Sequence, residues 1–116
     1  MGHSAGAWAS LLVAREGPGW FNAVVAFGPA FAGLRATRID ALIFAFEGDP
    51  YEPPEDLAFL RRIPGVELVV LSGTRIDDVS CGSRSPHLTE RKPCFHATQG
   101  ARIRDYIERR LRRAER

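Results

Sequence analysis

Apolar residues along this chain fall into short continuous runs separated by stretches with helical spacing. Ala23-Val24-Val25-Ala26-Phe27, Ala41-Leu42-Ile43-Phe44-Ala45-Phe46 and Val66-Glu67-Leu68-Val69-Val70-Leu71 have strand length and are bounded by Gly17-Pro18-Gly19, Gly28-Pro29, Gly48-Asp49-Pro50 and Pro64-Gly65. The first reads as a parallel strand buried on both faces, and the second is the strongest strand signal in the chain. Ala5 to Glu16 has no breaker and reads as a helix that the Gly17-Pro18-Gly19 turn stops. Pro53-Pro54-Glu55-Asp56 opens a short second helix through Leu57, Phe59, Leu60 and Ile63, with acids in its first turn and Arg61-Arg62 in its last, as the helix dipole prefers. The chain closes on an amphipathic helix whose Ile103, Tyr106, Ile107 and Leu111 form one apolar stripe. Ala30 to Asp40 shows no clear period and reads as a loop with room for one helical turn, and Ser72 to about Pro93 is a long polar loop.

Strands alternating with crossovers predict an α/β fold: a three-layer open parallel sheet with right-handed connections, in a single domain spanning 1–116. In such sheets functional residues gather in loops at the carboxyl ends of the strands. That rule selects the Gly28 loop, the Glu47 to Tyr51 turn, the Ser72 to Pro93 loop and the stretch that opens the chain, Met1-Gly2-His3-Ser4-Ala5-Gly6.

The opening stretch carries the chemistry. Gly2-x-Ser4-x-Gly6 is the G-x-S-x-G pattern of a nucleophile elbow, a sharp strand-to-helix turn with a serine at its tip. A serine hydroxyl becomes nucleophilic only when a base takes its proton, so the turn must hold it where a histidine can reach. Glycines two positions before and after the serine are expected to relieve the crowding of so tight a turn. The Ala5 N–H and the start of the following helix would face the site of a developing oxyanion. A glycine-flanked serine that merely caps a helix shares the pattern, so context decides.

The Gly2 to Gly6 elbow with its helix, the strand ending before Gly28-Pro29, the strand ending in Gly48-Asp49-Pro50, and a strand and histidine-bearing loop before a last helix together resemble the C-terminal half of an α/β-hydrolase, most similar to serine esterases and dienelactone-hydrolase-like enzymes. The resemblance covers essentially the whole chain; it is specific at the elbow and loose after Leu71. It implies the chain order Ser, Asp, His for a catalytic triad. Asp49 then takes the acid role, accepting a hydrogen bond from the histidine Nδ1–H, with Glu47 and Asp56 as weaker candidates. A plain turn would also use Gly48-Asp49-Pro50, for local hydrogen-bonding reasons.

Two histidines compete for the base. His87, in Ser85-Pro86-His87, lies in the polar loop, where a base can swing over the strand ends; His96 lies in Pro93-Cys94-Phe95-His96, where the final helix begins. Loop placement favours His87, with His96 as the alternative. His3 sits inside the elbow ahead of the nucleophile and is read as shaping the turn. A Cys81–Cys94 disulfide would close a loop around His87; two cysteines alone do not decide whether it forms.

Composition narrows the remaining classes. At 116 residues, 45% hydrophobic and 26% charged with a net charge of +2, the composition is that of an ordinary globular domain, with no apolar stretch of membrane-span length. The localisation is left open, since Met1 is followed at once by the elbow. Arg102, Arg104, Arg109, Arg110, Arg112, Arg113 and Arg116 crowd the last helix, but Asp105, Glu108 and Glu115 interleave and no aromatic platform accompanies them, so the pattern reads as a solvated face and not as a nucleic-acid site. Trp8 and Trp20 read as packing residues. No cysteine and histidine spacing fits a metal site, and no cofactor is implied.

Two functions from different classes follow. The first is a serine hydrolase of a carboxylic ester or related acyl bond on a small molecule, working through an acyl-enzyme on Ser4; the second is a non-catalytic fragment or pseudo-hydrolase that keeps the motif alone. The hydrolase reading expects further sequence ahead of Met1, an N-terminal half that supplies the strand feeding the elbow and the second oxyanion N–H. Loss of one such donor typically lowers the rate about 100- to 1,000-fold. It also expects Ala23 to Phe27 to be an unpaired apolar edge in this chain, poorly soluble by itself.

Overall fold

The computed structural model describes residues 1–16, 23–28, 38–49, 53–71 and 93–114. Its elements are β1 (Gly2–His3), α1 (Ala5–Glu16), β2 (Val25–Phe27), β3 (Ala41–Phe46), α2 (Pro54–Leu57) continued by a 3-10 helix (Ala58–Arg62), β4 (Val66–Leu71) and α3 (Pro93–Ala114). The strands form one sheet in the order β1-β2-β3-β4, every pair parallel. This is the expected α/β architecture.

Period-two alternation in the strands divides the core between the two faces of the sheet. Val24, Ala26, Ala41, Ile43 and Ala45 point to one face, where Ala7 and Leu11 of α1 and Leu57, Leu60 and Ile63 of the α2 segment cover them. Val25, Phe27, Leu42, Phe44 and Phe46 point to the other, against Phe95 and Tyr106 of α3. Helices on both faces make three layers. β3 is buried at every position, which is why its sequence lacks polar residues.

The Phe95 ring is the centre of the second face. It meets the rings of Phe27, Phe44 and Phe46 edge-on at 5.7, 5.2 and 6.1 Å, the offset geometry that aromatic quadrupoles favour. Those phenylalanines stand at the carboxyl ends of β2 and β3, whereas further along α3 Arg109 and Arg110 reach Glu67 and Asp40 at the amino ends of β4 and β3. α3 therefore runs antiparallel to the strands, from the carboxyl edge of the sheet to its amino edge.

The structure corrects several expectations. Gly2–His3 form β1 and pair with Ala26 and Phe27, so β2 is not an unpaired edge: a parallel ladder needs only backbone, and Met1 to His3 supply enough of it. β2 begins at Val25, although the Val24 carbonyl still accepts a hydrogen bond from the Leu42 N–H. The second helix is one α turn followed by a 3-10 helix, because Leu57, Leu60 and Ile63 recur every third residue and 3-10 geometry stacks such positions on one side. Leu111 is 43% exposed and leaves the apolar stripe of α3 to Phe95, Ile103, Tyr106 and Ile107. Of the Ala30 to Asp40 loop, only 38–40 is described, where Ile39 is buried in the core. Among the described residues no helix is long and apolar enough to cross a membrane.

Replacing Phe95, fully buried, by alanine is expected to lower stability by about 3–5 kcal/mol in chemical denaturation. Leu111→Ala is expected to stay within about 0.5 kcal/mol of the parent, as exposed positions do. Burial pushes the Tyr106 hydroxyl up to about 12, against opposition from the neighbouring Arg110 charge. An acid whose folded pKa is raised contributes stability below its unfolded value of about 10 and loses it as pH rises through the folded one. Stability should therefore fall between about pH 10 and 12, and Tyr106→Phe should remove that portion of the decline.

Candidate active site at the carboxyl edge of the sheet

Ser4 is the only described non-glycine residue with positive φ, at 53°. Its N–H donates to the Phe27 carbonyl at 3.0 Å, extending the β1–β2 ladder by one bond, while its own carbonyl accepts from the Trp8 N–H at 3.0 Å and so begins α1. One residue thus ends a strand and starts a helix. The left-handed backbone costs about 1–3 kcal/mol in a non-glycine residue and persists only where both flanks hold it. Ala5 follows as the first residue of α1, and the leading N–H groups of a helix have no partner within it.

The glycines flanking Ser4 differ in kind. A Cβ on Gly2 would overlap the Gly6 carbonyl oxygen and come within 2.6 Å of both the Gly6 carbonyl carbon and Ser10 Oγ. The Ser10 hydroxyl meanwhile donates to that Gly6 carbonyl at 2.9 Å, which keeps it in place. A Cβ on Gly6 would meet no described atom within 4 Å. Crowding therefore accounts for Gly2 and not for Gly6, contrary to the symmetric role expected of the pair.

The same edge holds the acid. β3 ends at Phe46, and the turn that follows passes through Gly48 at φ 83° before the Asp49 N–H donates back to the Phe46 carbonyl at 3.1 Å. Asp49 is 2% exposed, the single buried charged residue among those described. Burying a carboxylate is costly unless a specific partner holds it, which makes such a position a site candidate. Glu47 and Asp56 are both exposed. Backbone bonds from Gly28 to Phe44 and from Glu47 to Leu71 carry each ladder one step past its strand, so Ser4, the Gly28 turn and the Glu47 to Asp49 turn lie along one edge.

His96 also belongs to that end of the sheet, one residue after Phe95 in α3. It is exposed, with its ring 5.5 Å from the Phe95 ring, and it lines a groove of about 390 Å³ with Met1, Phe27, Gly100, Ile103 and Ile107. It is a helical residue, in the stretch where the final helix was expected to begin. His87 lies outside the described residues. The chain on either side of it, ending at Leu71 and resuming at Pro93, is anchored at the carboxyl edge. His3 is half-buried and pairs with Phe27 at the end of β1. Cys81 and the Cys94 side chain lie outside the described residues, and the proposed disulfide with them. Among the described residues no group of histidine, cysteine or acidic side chains could hold a metal ion.

One polar cluster lies at the opposite edge of the sheet. Arg109 makes a two-pronged pair with Glu67 at 2.9 and 3.2 Å, and Arg110 reaches Asp40 at 3.4 Å, so part of the basic face expected to be solvated is tied to the sheet. The signal was available in the spacing of Tyr106, Arg109, Arg110 and Arg113, which places them on one stripe of the helix. No family model, curated protein or solved structure matches the chain.

Gly2→Ala is expected to destabilise the protein by about 2 kcal/mol or more, as overpacking does. Gly6→Ala should be neutral or stabilising by up to about 1 kcal/mol, since alanine is the better helix former. Denaturant midpoints of the two variants check the contrast.

Proposed function

We propose that the chain carries the nucleophile and acid of an α/β-hydrolase-type serine hydrolase that cleaves a carboxylic ester or related acyl bond. The observation that carries this reading is the left-handed backbone of Ser4 at the tip of a strand–turn–helix on a parallel sheet, the geometry that exposes a serine Oγ. The chain order Ser4, Asp49, then a histidine, and the burial of Asp49 at the same sheet edge, support it.

In this mechanism Ser4 Oγ attacks the acyl carbon as the histidine takes its proton, and the alkoxide oxygen that develops is met by the Ala5 N–H at the start of α1. Collapse of the intermediate expels the alcohol, which receives the proton from the histidine. Water, activated by the same histidine, then attacks the acyl-enzyme and frees Ser4. Asp49 accepts a hydrogen bond from the histidine Nδ1–H throughout, fixing the tautomer and stabilising the imidazolium. His87 is the proposed base, since the described residues on either side of it, Leu71 and Pro93, stand at the edge that carries Ser4; His96 is the alternative.

The test is a fluorophosphonate probe, which forms a covalent adduct with an activated serine, combined with hydrolysis of a short-chain aryl ester. Ser4→Ala should abolish the adduct, and Asp49→Asn should slow labelling and turnover by about 1,000-fold or more. Of His87→Ala and His96→Ala, only the variant lacking the base should show a loss of that size. A folded chain with no adduct at Ser4 would favour the non-catalytic reading.

A further inference from the structure

The amino edge of the sheet, at the far end of α3 from Phe95, carries a second polar pocket. Tyr106, Arg109, Arg110 and Arg113 face Asp40, Gly65 and Glu67 across a space of about 230 Å³ that Arg38 also lines. Among the described residues, four guanidinium groups stand against two carboxylates, leaving a surplus of positive charge. Both carboxylates are already engaged. Arg38 and Arg110 take one oxygen each of Asp40, and Arg109 takes both oxygens of Glu67. Arg113 has no ion-pair partner among the described residues.

The Tyr106 hydroxyl is the second observation. Tyr106 is 2% exposed and lines this pocket, yet its hydroxyl oxygen has no hydrogen-bond partner among the described residues. Buried hydroxyls are nearly always paired, because an unpaired one has lost its water for nothing. With its pKa raised to about 12 it keeps its proton at neutral pH and is available as a donor. A donor hydroxyl beside surplus guanidinium charge matches a ligand with negatively charged acceptor oxygens.

We propose that this pocket binds a small oxyanion, a phosphate or carboxylate group, held by the charges of Arg110 and Arg113 and by a hydrogen bond from the Tyr106 hydroxyl. The site lies at the opposite edge of the sheet from Ser4 and is independent of what Ser4 does. Asp40 holds the guanidiniums of Arg38 and Arg110 and Glu67 that of Arg109, so Arg110 meets the ligand from a set position. The arrangement also sets the ligand's size: the two carboxylates repel any anion that extends along the pocket wall.

Titrating the full chain with inorganic phosphate and, in a parallel arm, with acetate, at ionic strength held constant with sodium chloride, tests the proposal by calorimetry and thermal unfolding. One anion should stabilise the chain saturably; preference for phosphate identifies a phosphoryl ligand and preference for acetate a carboxylate. Tyr106→Phe should weaken binding about tenfold and, having removed no existing hydrogen bond, should leave the anion-free protein at least as stable as the parent. Arg113→Gln, at an exposed position, should weaken it about threefold, and Ser4→Ala should leave it unchanged. No stabilisation beyond that of sodium chloride, or unchanged affinity in Tyr106→Phe, would overturn the proposal.

Discussion

The structure depends on the two-sided burial of β3. Ala41, Ile43 and Ala45 face one helical layer, and Leu42, Phe44 and Phe46 face the other. Because side chains alternate strictly, a slip of one residue would exchange the small face for the large one. α1 fits closely over alanines, whereas Phe95 needs the broad surface of the phenylalanines. The register of β3 thereby decides which helix covers which face. It also fixes the level at which each neighbouring strand ends, and hence the row of turns that carries Ser4, Gly28 and Asp49.

The strain at Ser4 is affordable because of that row. The hydrogen bond from the Ser4 N–H goes to Phe27, whose ring is stacked 5.6 Å from Phe44 and edge-on to Phe95. On the other flank, the Ser4 carbonyl is committed to the first turn of α1, whose Ala7 and Leu11 are buried. A left-handed serine held on one side only would relax to an ordinary turn. Held on both, it keeps a conformation that its own preferences oppose. The overlap that any Cβ on Gly2 would create belongs to the same constraint, since it marks how closely the helix start folds back over the end of β1.

Much of this was legible in the sequence because the signals were local. Continuous apolar runs bounded by glycine and proline mark β3 and β4, the unbroken run from Ala5 to Glu16 matches α1, and the Gly48-Asp49 turn follows β3 as its sequence suggests. What escaped depended on distant chain. β1 is two residues long and exists only because Ala26 and Phe27 offer it a ladder, so no periodicity could announce it. Gly6 shares a motif with Gly2, and only the three-dimensional path of the helix separates their roles. Arg109 and Arg110 sit in a run of charges typical of solvated helices, and their partners Glu67 and Asp40 are 42 and 70 residues away in sequence. The choice between His87 and His96 turns on side-chain reach, which neither spacing nor loop position encodes.

α3 ties the two ends of the sheet together, and its sequence changes character along its length to do so. Its beginning inserts Phe95 among three phenylalanines, and its later turns present arginines to acids at the amino edge. The apolar contact supplies most of the binding, since the exposed ion pair to Glu67 contributes about 1 kcal/mol at most. The ion pairs serve instead to set rotation and register: a helix anchored only by Phe95 could turn about that ring, whereas the fork of Arg109 on Glu67 admits one orientation. That orientation carries Tyr106 inward, towards the β3 face and away from solvent. The packing of the helix thereby sets Tyr106 at the wall of the amino-edge pocket, with its ring buried against the phenylalanine face of the sheet.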